Sequence, residues 1–183
     1  SAGQMNAQIY VNDNSTVGDV FTTAVGNDAN AGTAASPYAT INFAISQAVG
    51  GETIYIDNGS YNERVVVDKS LTLEGAGESI AILDGTGLVG TGKGIAINNA
   101  ITNVTIKKLT VQNYSGANGN VDAGIYGIGG NNNLTVQNVS LLNNVGGSGF
   151  YANGPVNTVL IDSVTSTGHT VGARGIVIWN GLK

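Results

Sequence analysis

The feature that most constrains this chain is an internal repeat. The segment Asn103–Asn113 (NVTIKKLTVQN) returns as Asn133–Asn143 (NLTVQNVSLLN), and a weaker copy runs from Thr158 to Ser166. The first apolar residues of the three copies, Val104, Leu134 and Val159, lie 30 and 25 positions apart. A second motif, a glycine followed by a short apolar strand, keeps the same rhythm. Its glycines, Gly94, Gly124, Gly149 and Gly175, are spaced 30, 25 and 26 apart. Two motifs sharing one period mark a chain built from stacked copies of one supersecondary unit. The extra residues of the first step fall in the Gly/Asn/Ser-rich stretch 113–123, a loop that bulges from one coil.

Each unit carries three short strands in which apolar residues alternate, separated by Gly/Asn turns. No two strands are joined by the two-residue turn of a hairpin. Three strands in about 25 residues also leave no room for the crossover helix that parallel neighbours otherwise need. Winding the chain into a solenoid remains, with equivalent strands about 4.8 Å apart. The expected fold is all-β: a right-handed parallel β-helix with an N-terminal capping helix and an open C-terminal end.

The first third is built differently. Gln8–Val11 reads as a strand, and the loop 26–33 follows. Tyr38–Ala48 then reads as a helix, with Ile41, Ala44, Ile45 and Ala48 on one face. Ser36 and Pro37 mark its start, and Gly50-Gly51 its stop. One amphipathic helix before a stack of strands suits a cover for the end of the core. Residues 1–51 are thus read as strand, loop and cap, and 52–183 as coils, within a single domain. Nothing comparable to the helix follows Trp179, so the last coil is expected to be open.

Composition narrows the partners. Charged residues make up 10% of the chain, with seven Lys and Arg against twelve Asp and Glu, where a typical domain has about a quarter. Nucleic acid needs clustered cations, and the only adjacent basic pair here is Lys107-Lys108. No apolar run approaches the roughly 20 residues of a membrane span, so membrane insertion is not expected. No cysteine is present, which excludes disulfides and thiolate metal sites. A low-charge surface rich in Asn, Thr, Gly and Ser fits a secreted or surface-bound protein, with no signal peptide in the segment Ser1–Gln4.

The stretches Gly26–Thr33, Pro37–Ile41, Gly51–Ile56, Gly59–Glu63 and Leu71–Gly75 resemble the N-terminal cap and first coils of the pectin-lyase-like superfamily. The resemblance implies the β-helix fold. It implies no single activity, because polysaccharide lyases, pectin methylesterases and bacterial surface proteins share that cap. The Gln-Asp pair of the esterases is absent, and the repeating coils offer only Asp122 and Asp162 as acids, so no family residue is carried over.

Several local patterns stand apart from the scaffold. Asp28-x-Asn30-x-Gly32 has the alternating oxygen spacing of a calcium loop. It lacks the distal bidentate Glu, and an Asx-turn loop beside the cap is the simpler expectation. No other cofactor is implied. His169 could meet Asp162 and Arg174, although its place in a turn suits a solvated side chain better. Tyr126, Tyr151 and Trp179 sit near the Gly-apolar strands and would form a glycan-stacking strip if they face outward. Ile176, Ile178 and Trp179 on the last coil would contact a second copy if chains associate through the open end. The expected function is a non-enzymatic structural or adhesive module outside the cell. The alternative is the N-terminal part of a carbohydrate-active enzyme or a glycan-binding module.

Overall fold

The apolar positions of the repeat are spaced two, three and two apart, and that spacing shapes each coil. The computed structural model describes residues 8–90, 92–116, 122–130, 133–154, 158–169 and 174–179. The middle of the bulging loop (117–121) and the ends 1–7 and 180–183 lie outside the described residues. Val104–Gln112 forms one strand, β8, with Val104, Ile106, Leu109 and Val111 buried. Strict alternation would turn Lys108 inward. Instead Lys108 takes a left-handed φ of 57°. That single residue bends the chain and resets the alternation, so Leu109 and Val111 join Val104 and Ile106 in the core. The two halves of β8 then pair with different partners. Thr105–Lys107 pairs with β5 (Thr72–Gly75), and Thr110–Gln112 with β6 (Ala81–Asp84). Asn138 and Ser163, at φ 50° and 53°, do the same in β10 (Leu134–Leu142) and β12 (Val159–Thr167). Two of the three strands expected in each unit are therefore one strand folded at a left-handed corner.

The third side of the coil is a second sheet, built in order from β4 (Val65–Val67), β7 (Ile95–Ile97), β9 (Ala123–Ile128), β11 (Ser148–Asn153) and β13 (Ile176–Trp179). The first sheet begins with β1 (Gln8–Val11) and β2 (Thr53–Ile56) and continues through β5, β8, β10 and β12; β3 (Gly59–Tyr61) pairs with β6. Every strand pairing among the described residues is parallel, which makes the architecture a parallel β-helix. Val104, Leu134 and Val159 stand in register on neighbouring coils, as do Leu73, Ile106, Val136 and Ile161. One apolar core runs unbroken from Ile9 to Ala152.

Other corners are also left-handed. Asn103 and Asn133 have φ 55° and 57°, and Asn113 and Asn143 have φ 60° and 52°, a conformation asparagine adopts more readily than most residues. Asn133 Nδ2 donates to Asn103 Oδ1 at 2.9 Å, so these two corners are bonded along the axis. Asn113 donates instead to Asp84, at 3.1 Å. Asp84 also accepts from Thr86 and Gln112. Burial raises its pKa, but these hydrogen bonds overcome that and hold the carboxyl near 2.

The cap is shorter than the sequence implies, spanning Ile41–Gln47 (α1) rather than beginning after Ser36. Thr40 is the N-cap, its hydroxyl accepting from Phe43 N. Asp28 holds the amides of Ala39 and Thr40, and Glu63 takes those of Ile41 and Asn42. These carboxylates bind the leading amides from elsewhere in the chain, so the turn after Pro37 stays extended. Ile41, Ala44 and Ile45 are buried over the core. The strand edges at this end are also closed. Tyr38 exchanges backbone bonds with β1, and Asn42 Oδ1 accepts from Val66 N of β4.

The other end differs. Leu134, Val136 and Val139 are at most 1% exposed, whereas their counterparts Val159, Ile161 and Val164 are only partly buried. Ile176 and Ile178 lie opposite the core residues Phe150 and Ala152, yet are 42% and 49% exposed. Among the described residues, no further coil lies on them.

Candidate functional site

Alternation along β9 and β11 sends Ile125 and Phe150 into the core and Tyr126 and Tyr151 to the opposite face. Register sets the two tyrosines side by side. Their rings stack 5.6 Å apart, 4° from parallel. The Lys93 ammonium lies 4.1 Å from the centre of the Tyr126 ring. With Ala123 and Val177 they form a second small apolar cluster. At 6% and 4% exposure neither tyrosine offers an open ring face. Burial, with a smaller contribution from Tyr151, pushes the Tyr126 hydroxyl pKa up. Trp179 is placed opposite Asn153 and is 60% exposed. The expected aromatic strip is therefore divided: two rings are closed by packing, and the third stands apart on the last described strand.

His169 is not the solvated turn side chain that its neighbours in the sequence suggest. It is half-buried, with Nε2 2.9 Å from Ser166 Oγ and Nδ1 3.2 Å from the Asn144 carbonyl. Ser166 Oγ also lies 2.9 Å from the Gly175 carbonyl, to which it donates. When Nδ1 carries the proton toward Asn144, Nε2 and the Gly175 carbonyl compete for the single Ser166 hydrogen. That competition ties the hydroxyl to the scaffold. Asp162 takes no part; it accepts from Gln137 and Ser163. Arg174 is exposed. The three residues that the sequence could have brought together do not meet.

What precedes His169 in the stack explains its position. Tyr114, Asn144 and His169 follow the corners Asn113, Asn143 and Gly168, separated by the same 30 and 25 steps as the repeat. Each is an inward polar residue with structural partners. Tyr114 OH donates to the Glu63 carbonyl, and Asn144 bonds the Tyr114 amide and the Val111 carbonyl. This polar stack escapes a reading that tracks only apolar periodicity. Extending the repeat register by one residue beyond each corner would have found it.

The carboxylates are also committed to structure. Asp57 is fully buried and accepts from the amides of Val20, Phe21, Thr22 and Asn58 and from the Thr22 hydroxyl. Burial pushes the Glu63 carboxyl up against the pull of the Ile41 and Asn42 amides. Glu74 bridges Lys107 and Lys108 at 3.0 and 2.8 Å. Asp28, the candidate calcium ligand, has both oxygens engaged by Ala39, Thr40 N and Thr40 Oγ1, while Asn30 donates to the Pro37 carbonyl. Both residues thus serve the turn that leads into α1. Among the described residues, no cluster of three or more His, Asp or Glu side chains could hold a metal.

Comparison with known proteins agrees with this scaffold. Residues 24–73 match a family model described as Protein of unknown function (DUF1565). No curated protein matches the chain. Among solved structures, a pectin methylesterase variant in complex with a hexasaccharide is similar at 18% identity and a TM-score of 0.50, covering 70% of this chain and 44% of its own. A rhamnogalacturonan lyase is similar at 14% identity and a TM-score of 0.57, covering 94% of this chain and 62% of its own. The chain therefore spans less than two thirds of each. The likeness shows the fold alone, a parallel β-helix.

Proposed function

We propose that this chain is a non-catalytic β-helix module with a structural or adhesive role outside the cell. The observation that carries the reading is the use of the acids. Asp28, Asp57, Glu63, Glu74 and Asp84 each bind amides, amide side chains or lysines of the scaffold, and the only histidine, half-buried, is bonded within an inward polar stack. A glycoside-cleaving or ester-cleaving site needs an acid or base aimed at open space. The low charge and the Asn/Thr/Ser surface support an extracellular setting.

The test is turnover. Incubation with polygalacturonate, methyl-esterified pectin and rhamnogalacturonan is expected to give no unsaturated product, no methanol and no new reducing ends. Product formation that scales with protein concentration would replace this reading with the enzymatic one that the two similar structures favour.

The role includes self-association through the last coil, where Ile176, Ile178 and Trp179 are exposed. Because α1 and its loops close the opposite end, contact through this face is isologous and stops at two copies. Sedimentation velocity is expected to show a shift from one copy to two with rising concentration, abolished by Ile178→Lys. A single species of one copy across the whole range would sink this part.

A further inference from the structure

We infer that a groove on the outer face of the larger sheet binds an uncharged polysaccharide lying along the axis of the coils. The inference deepens the adhesive role proposed above and rests on it. Thr53, Thr72, Thr105 and Thr135 occupy the same outward position on four consecutive coils, paired in register from β2 to β5, β8 and β10. Parallel pairing sets their hydroxyls about 4.8 Å apart. Three of them, Thr72, Thr105 and Thr135, line a groove of about 460 Å³. The bonded pair Asn103 and Asn133, at left-handed corners two residues before Thr105 and Thr135, lines it too, with Ser70.

Three properties of this groove point to its ligand. The threonines are half-buried, and among the described residues no protein group bonds the hydroxyls of Thr72, Thr105 or Thr135. A hydroxyl both donates and accepts, which suits the hydroxyls of a sugar. The donors and acceptors also repeat at one constant spacing in a straight line, an array suited to a polymer of like units. Finally, no charged residue lines the groove. Lys107 and Lys108 on the neighbouring strand positions share the single carboxylate of Glu74, so the preference for a neutral chain rests on the uncharged lining itself. The groove is on a different sheet from Tyr126 and Tyr151.

Affinity electrophoresis through gels containing glucomannan, arabinoxylan, mixed-linkage β-glucan, galactan or polygalacturonate tests the inference. The wild-type protein is expected to be retarded by at least one neutral polysaccharide and not by polygalacturonate. The double variant Thr105→Val, Thr135→Val keeps shape and strand preference but removes two hydroxyls. It is expected to bind at least tenfold more weakly, with unchanged thermal unfolding, while Trp179→Ala binds as wild type. No retardation in any neutral gel, retardation in polygalacturonate alone, or wild-type binding by the folded double variant would overturn the site. Loss of binding in Trp179→Ala with the threonine variant intact would overturn it as well. Turnover of a pectin would end the non-catalytic reading and leave these mobility results standing.

Discussion

Asp57→Ala is expected to lower the unfolding free energy by about 3–5 kcal/mol, among the largest losses any single substitution in this chain would give. The carboxylate is fully buried and receives the amides of Val20, Phe21 and Thr22, the Thr22 hydroxyl and the Asn58 amide. Truncation removes the acceptor of five donors, of which the Thr22 amide is buried and those of Val20, Phe21 and Asn58 part-buried, and a buried donor left unpaired costs about 1–3 kcal/mol. Asp57→Asn, which keeps one carbonyl oxygen, is expected to lose roughly half as much. The urea midpoint measures both. A loss below about 1 kcal/mol for the alanine variant would show that the loop 20–22 is held by other contacts.

The same carboxylate predicts an acid dependence. Burial raises its pKa, but the hydrogen bonds led by Val20 N and the Thr22 hydroxyl overcome that and hold it below the ordinary 3.8. The charged form is therefore favoured in the folded state. Its contribution is complete above pH 3.8 and disappears as the pH falls through the lower folded value. The alanine variant should lose less stability than wild type on acidification through that window.

Ile106→Ala is expected to cost about 2–5 kcal/mol, because Ile106 is fully buried between Leu73 and Val136 in the middle of the core column and leaves a cavity that cannot collapse. The informative comparison is Ile161→Ala, the same residue change in the same column two coils on. Ile161 is partly exposed and has no neighbour above it among the described residues. Its loss should be less than half as large. Equal losses would mean that the last coil is covered in solution by something that buries Ile161 as fully as Ile106.

The coil architecture was legible because it depends on spacing alone. Val104, Leu134 and Val159 share a register that can be read directly from the chain, and the apolar face of α1 likewise. The left-handed corners were half legible. Asparagine at 103, 113, 133, 138 and 143 advertises that conformation, whereas Lys108 and Ser163 adopt it only because the coils beside them impose it. The helix start was misplaced because its leading amides are bound by Asp28 and Glu63, partners no local window contains. Burial of Tyr126 and Tyr151 was hidden for a related reason: alternation places a side chain on a face without saying what covers that face. The threonine column was in plain view as sequence. Its meaning depended on the pairing register, which lines up residues 53, 72, 105 and 135 despite their unequal separations.

The two ends of the stack also differ in what they permit. At one, Tyr38 and Asn42 occupy the hydrogen-bonding edges of β1 and β4 and the helix plugs the bore, so no strand can be laid down there. At the other, among the described residues, no strand pairs with the outer edges of β12 and β13, and Ile161, Ile176 and Ile178 are only partly covered. The two ends are therefore not equivalent: among the described residues, the β12 and β13 side ends on strands without a further strand beside them, and the β1 and β4 side on edges taken by Tyr38 and Asn42.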